Sequence, residues 1–160
     1  MSADAFKLDD TGLSGIVPSG YSLVTQDSFT SGLTILTLVF HADETLSATF
    51  RSLVVEIYPH GLRPHEITVD NLDRALSSMR QAFAKPSDKV VTAKVTTIAS
   101  VPAIELEVQH DDGALHQEAA LHLSSGRWIV IAANQSRALV PVDVQQRAFA
   151  QLIASLTHSR

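Results

Sequence analysis

The chain has no cysteine, which excludes disulfides, thiolate metal ligands and a Cys nucleophile. It has no cluster of cations either. Its 12 Lys and Arg are scattered among 17 Asp and Glu, for a net charge of −5. Phosphate backbones are held by grouped basic residues, so nucleic acid is excluded as the main partner. No apolar run approaches the roughly 20 residues that a bilayer span needs. The longest, Leu33 to Phe40, is of strand length, so stable membrane insertion is not expected. The opening MSADAFKLDDTG lacks a basic segment followed by an apolar one and does not read as a secretory leader. The expected location is cytoplasmic, with prior removal of a leader as the alternative. Nucleophile-elbow (GxSxG), dinucleotide (GxGxxG) and phosphate-loop motifs are all missing from the sequence.

What is present fits one globular domain of 160 residues, 45% hydrophobic and 18% charged. Residues 1–12 are polar and are expected to be a flexible N-terminus, with a single domain over 13–158. Ser14 to Val17 reads as a short strand stopped by Pro18-Ser19-Gly20. Further strands are expected at Tyr21 to Asp27, Leu33 to Phe40 and Phe50 to Tyr58, with a polar connection from His41 to Thr49. A helix follows. Thr68 is its candidate N-cap, and Val69, Leu72, Leu76, Met79 and Phe83 form its apolar stripe. Lys89 to Ile98 is β-branched and reads as a strand, and Ser100-Val101-Pro102 is the expected turn after it. Val142 to Leu156 closes the chain as an amphipathic helix behind Pro141. The order predicts an α+β domain: a mostly antiparallel sheet of about six or seven strands with packed helices.

The segment Ala103 to Gln135 carries the most information. It reads as three antiparallel strands joined by two-residue turns at Asp112-Gly113 and Ser125-Gly126. That register sets Val108 opposite Gln117, Leu106 opposite Ala119 and Ile104 opposite Leu121. It also sets Leu123 opposite Trp128, Leu121 opposite Val130 and Ala119 opposite Ala132. One face is then nearly all apolar, with Trp128 and Leu123 in the core, Arg127 directed away and Gln117 the odd polar residue. The second face holds Glu105, Glu107, His116 and Glu118 at one edge and Ile129, Ile131 and Ala133 at the other. That apolar edge calls for cover by a helix, a second subunit or a ligand.

The same register places Glu107 opposite Glu118, and paired carboxylates can support acid–base chemistry or form a solvated acidic face. No third catalytic group accompanies them, so the chain is not expected to be an enzyme and no cofactor is expected. Seven histidines raise a metal site, but His116 and His122 are six residues apart on one strand, roughly 20 Å. Pro64 interrupts the spacing of His60 and His65, so no metal site is assigned.

Several segments together resemble the PsbP-like fold group, which includes the Ran-binding Mog proteins and the bacterial DcrB-like proteins. They are the strand leading to Pro18-Ser19-Gly20-Tyr21, the Val-Glu-Ile strand before a middle helix, SVPAIELEVQH followed by GALHQEAALHLSSGRWIVIAANQ, and the closing FAQLIASL. The resemblance runs from Ser14 to Leu156 and implies an α/β/α sandwich. Within the group, GALHQEAALHLSSGRWIVIAA looks most similar to the Eag-type chaperones of type VI secretion. That resemblance implies a non-enzymatic, homodimeric chaperone or adaptor that shields an apolar or transmembrane segment of a secreted effector. Its sheet-built groove would use Gln117, Ala119, Leu121, Ile129, Ile131 and Ala133. Two other functions are expected alternatives. One is a small-ligand-binding protein or enzyme using Glu105, Glu107, His116 and Glu118. The other is an assembly or trafficking factor acting through an acidic surface.

Overall fold

The computed structural model describes residues 4–8, 10–41, 52–134 and 140–159. These form strands β1 (Ala5–Leu8), β2 (Leu13–Ile16), β3 (Tyr21–Ser28), β4 (Thr34–Phe40) and β5 (Ser52–Ile57), then helix α1 (Leu72–Phe83). Strands β6 (Lys89–Ile98), β7 (Val101–Gln109), β8 (Leu115–His122) and β9 (Trp128–Asn134) follow, then helix α2 (Val142–Ser155) and β10 (Thr157–His158). Most of the expected connection after His41, together with Phe50, lies outside the described residues.

Seven strands make one antiparallel sheet in the order β3-β4-β5-β9-β8-β7-β6, and β1, β2 and β10 make a small second sheet. The class is the expected α+β. Two meanders build the large sheet. β3, β4 and β5 run consecutively, the chain crosses through α1 to the far edge, and β6 to β9 return until β9 pairs with β5. Val55 there lies opposite Ile131 and Ile57 opposite Ile129.

The helices take opposite faces. On one, Leu36, Leu38, Leu53, Val55, Ala119, Leu121, Ile129 and Ile131 pack with Ala148, Phe149, Leu152 and Leu156, and with Phe6, Leu8 and Leu13 of the small sheet. On the other, Ile104, Leu106, Val108, Ala120, Trp128 and Val130 pack with Ile67, Ala75 and Met79. Each fully buried Leu or Ile contributes roughly 1.5–3 kcal/mol. β8 lies between both layers and is buried along seven of its eight residues, so its polar side chains need internal partners.

The register of both hairpins differs from expectation by one residue. Val108 faces His116, Leu106 faces Glu118 and Ile104 faces Ala120. Leu121 faces Ile129, Ala119 faces Ile131 and His122 faces Trp128. The cause is the turns. Each loop has three residues, closed by His110 N–H to Ala114 O (2.8 Å) and by Leu123 N–H to Arg127 O (2.9 Å). The left-handed glycine is the third loop residue, Gly113 at φ 90° and Gly126 at φ 88°. This is the three-residue hairpin in which a type I turn is followed by a residue in the left-handed region. Asp112 Oδ1 accepts from Ala114 N–H at 2.9 Å and fixes the first loop. A one-residue slip exchanges faces. Trp128 and Leu123 therefore enter different cores, and Glu107 lies opposite Gln117 rather than Glu118.

Three smaller differences have local causes. The N-terminus is not loose over Ala5–Leu8. That segment is β1, burying Phe6 and Leu8 and pairing with β2. The Thr11 hydroxyl holds the β1–β2 turn, donating to Leu8 O and accepting from Leu13 N–H. Asn71, not Thr68, caps α1, its Oδ1 accepting from Arg74 N–H at 3.1 Å. The β6–β7 turn is Ala99-Ser100, both at positive φ, so Val101 and Pro102 already belong to β7. The two outer strands of the large sheet, β3 and β6, each have an irregular register, at Val24 and Val91.

A Cβ added at Gly126 would meet nothing within 4 Å, so Gly126→Ala isolates the backbone cost of a left-handed residue. The expected loss is about 1–2 kcal/mol, read as a lower urea midpoint at unchanged slope.

Candidate functional site

The observed register brings Glu105 and Glu107 of β7 and Gln117 of β8 to the same face as α2. Between α2 and the β6–β7 edge lies an open groove of about 300 Å³. Phe149, Ala150, Ile153 and Ala154 form its helical wall, and Thr92, Glu105, Glu107, Gln117 and Gln146 supply its polar surface. The wall exists because Phe149 and Ile153 are one helical turn apart. Ala150 and Ala154 are also one turn apart, and their small side chains keep the groove open.

The polar residues form a chain of amides that ends on one carboxylate. Gln145, fully buried on α2, donates from Nε2 to Leu115 O at 3.1 Å and to Gln117 Oε1 at 3.3 Å. Gln117 Nε2 donates to Glu107 Oε1 at 2.8 Å, and Gln146 Nε2 donates to Glu107 Oε2 at 3.1 Å. Both Glu107 oxygens accept, as suits the ionised form. Glu105 instead pairs with Lys94 at 3.5 Å.

All six residues expected to bind a partner, Gln117, Ala119, Leu121, Ile129, Ile131 and Ala133, share the α2 face. Each is at most 3% exposed. Only Gln117 lines the groove; the others belong to the core beneath α2 and the small sheet. The alternative quartet divides. Glu105 and Glu107 line the groove, whereas His116 and Glu118 face α1 on the opposite side of the sheet. The four therefore do not act as one constellation.

His116 and Glu118 instead belong to a closed polar cluster that the sequence did not announce. Burial pushes the Glu118 carboxyl up to about 9, reinforced by the neighbouring Glu66 charge, by a hydrogen bond to Glu66 and by Glu56. At neutral pH Glu118 thus keeps its proton and shares it with Glu66. Burial and Glu66 also raise Glu56, while a hydrogen bond from Tyr58 opposes the rise. His116 Nε2 stands 3.4 Å from Glu118 Oε2, and its ring stacks on Phe83 of α1 at 4.1 Å. Glu66 also meets His65 Nδ1 at 3.0 Å. This cluster fastens α1 and the loop before it to the sheet. The available signal was the alternation of Glu56 and Tyr58 with buried Val55 and Ile57; Glu66 comes from a loop and gave none.

The remaining histidines that bear on structure do so locally. His110 Nδ1 meets Asp88 Oδ2 at 2.9 Å, and His122 stacks on Trp128 at 4.3 Å. Among the described residues no group of three or more His, Asp or Glu is arranged to hold a metal ion. No helix among them is long and apolar enough to cross a membrane.

No protein-family model matches the chain, and no curated protein does. Among solved structures, the cyanobacterial PsbP protein (CyanoP) of Synechocystis is similar at 14% identity and a TM-score of 0.58, over 99% of this chain and 93% of that one. A Pseudomonas aeruginosa protein of unknown function aligns at 14% identity and a TM-score of 0.41, over 93% of this chain and 94% of that one. The first likeness establishes the architecture: the chain has a PsbP-like fold.

Glu118 gives the fold a defined pH response. Its folded pKa lies above its unfolded value, so its stabilising effect is complete below the unfolded pKa and is lost as pH rises to about 9. Glu118→Gln keeps a donor toward Glu66 and removes the titration. Urea unfolding across this range is expected to show the variant gaining on the parent chain as pH rises. A constant difference would mean that Glu118 does not hold a proton in the folded state.

Proposed function

We propose that the chain is a non-enzymatic binding protein that holds an apolar segment of a partner protein in the groove beside α2. The supporting observation is the groove itself. Its wall is Phe149, Ala150, Ile153 and Ala154, and its amides are spent on one another and on Glu107 rather than on a nucleophile. Among the described residues Thr92 is the one hydroxyl in the lining, and no histidine lines it. Such a surface gains free energy by removing apolar side chains from water, and its amides orient what binds. At about 300 Å³ the groove is at the small end of ligand clefts. It takes side chains projecting from a segment, not a whole buried helix.

The finer reading is a chaperone or adaptor that shields an apolar or transmembrane segment of a type VI secretion effector. Its support is the PsbP-like fold together with the resemblance of the β8–β9 sequence to that chaperone group. The buried Ile129, Ile131 and Ala133 act here as the foundation of the α2 wall rather than as the contact surface.

The test is co-expression with a soluble carrier fused to a Leu/Ala-rich segment of about 20 residues, the length of a membrane span. The chain is expected to co-purify with the fusion and not with the bare carrier. Ala154→Trp, which fills the groove from an exposed position, is expected to reduce recovery at least tenfold with an unchanged thermal midpoint. Equal recovery with the folded variant would remove the groove from the function.

A further inference from the structure

We propose that the groove selects an apolar segment that carries a basic residue, with Glu107 receiving its cation. This deepens the reading above and rests on it.

Among the described residues the groove's lining holds two carboxylates, Glu105 and Glu107, and no Lys, Arg or His. Lys94 reaches Glu105 from outside the lining, at 3.5 Å. Among the described residues Glu107 has no ion pair; neutral amides from Gln117 and Gln146 hold its two oxygens. Among the described residues, two carboxylates against one ammonium leave one negative charge uncompensated at this place. The amides fix where it sits, because Gln117 is itself locked by Gln145.

A purely apolar occupant creates a conflict. Seating its side chains against Phe149 and Ile153 strips water from Glu107, and removing water from an unpaired carboxylate is costly. An acidic occupant adds repulsion. A Lys or Arg flanked by apolar residues resolves both demands. Its stem covers apolar wall while its head meets the carboxylate. Each carboxylate oxygen carries two lone pairs, and the amides occupy one on each, so acceptor capacity remains for a cation. The charge balance of the whole chain, −5, favours the approach of such a segment.

The experiment uses three versions of the same carrier, with Arg, Met or Glu at the centre of the Leu/Ala segment, titrated against the full chain. The Arg version is expected to bind about tenfold or more tightly than the Met version, as suits a charge-assisted hydrogen bond. The Glu version is expected to bind most weakly. Glu107→Gln is expected to abolish the Arg-over-Met preference. Because the first comparison changes only the ligand, it stands even if that variant fails to fold. Equal binding of the Arg and Met versions, both lost in Ala154→Trp, overturns this inference and leaves the groove reading intact. A preference that persists in folded Glu107→Gln also overturns it. Binding of none of the versions overturns both.

Discussion

A strand buried on both faces must find partners for its polar side chains inside the protein, and β8 carries three in succession. Gln117 points to the α2 side, where it accepts from Gln145 and donates to Glu107. His116 and Glu118 point to the α1 side, where they meet Phe83 and Glu66. One short stretch of backbone thereby fixes both outer layers to the sheet. Leaving any of these groups unpaired would cost roughly 1–3 kcal/mol, more for a charged one. The positions of the two helices and of the groove follow from that requirement.

Element types were largely legible, because strands with β-branched residues and helices with apolar stripes follow periodicities of about 2 and 3.6 residues. β6 occupies the full expected span, Lys89–Ile98, and α2 begins at Val142 as expected. Register was not legible. Asp112-Gly113 and Ser125-Gly126 fit a two-residue loop as well as the last two positions of a three-residue one. Alternation could not decide between them, since both parities of β8 contain small or apolar residues: Ala119 and Leu121 on one, Ala120 on the other. β1 was hidden because only Phe6 and Leu8 announce it. The groove was half legible. Glu105 and Glu107 were singled out, but their union with Gln117 and α2 depends on the register that the turns set.

Two carboxyl groups of the β7–β8 hairpin show how environment separates residues of identical chemistry. Glu118, enclosed beside two other carboxyls, keeps a proton and acts as a hydrogen-bond donor in a structural role. Glu107, beside amides and an open groove, acts purely as an acceptor. The first closes the fold, and the second lines an open groove. With a PsbP-like scaffold under both, the difference lies in what each face of the sheet is packed against.

The irregular outer strands have a further bearing on how another chain could be held. Val24 in β3 and Val91 in β6 interrupt the ladders on the two margins of the large sheet. An interrupted margin twists and offers a poor template for a newcomer to extend by main-chain pairing. Main-chain pairing is indifferent to most side chains, so a protein that relied on it would accept many sequences. With both borders spoiled for that purpose, a chain held under the proposed function would be discriminated by the contoured surface of the layer, where the identity of each incoming side group would be felt.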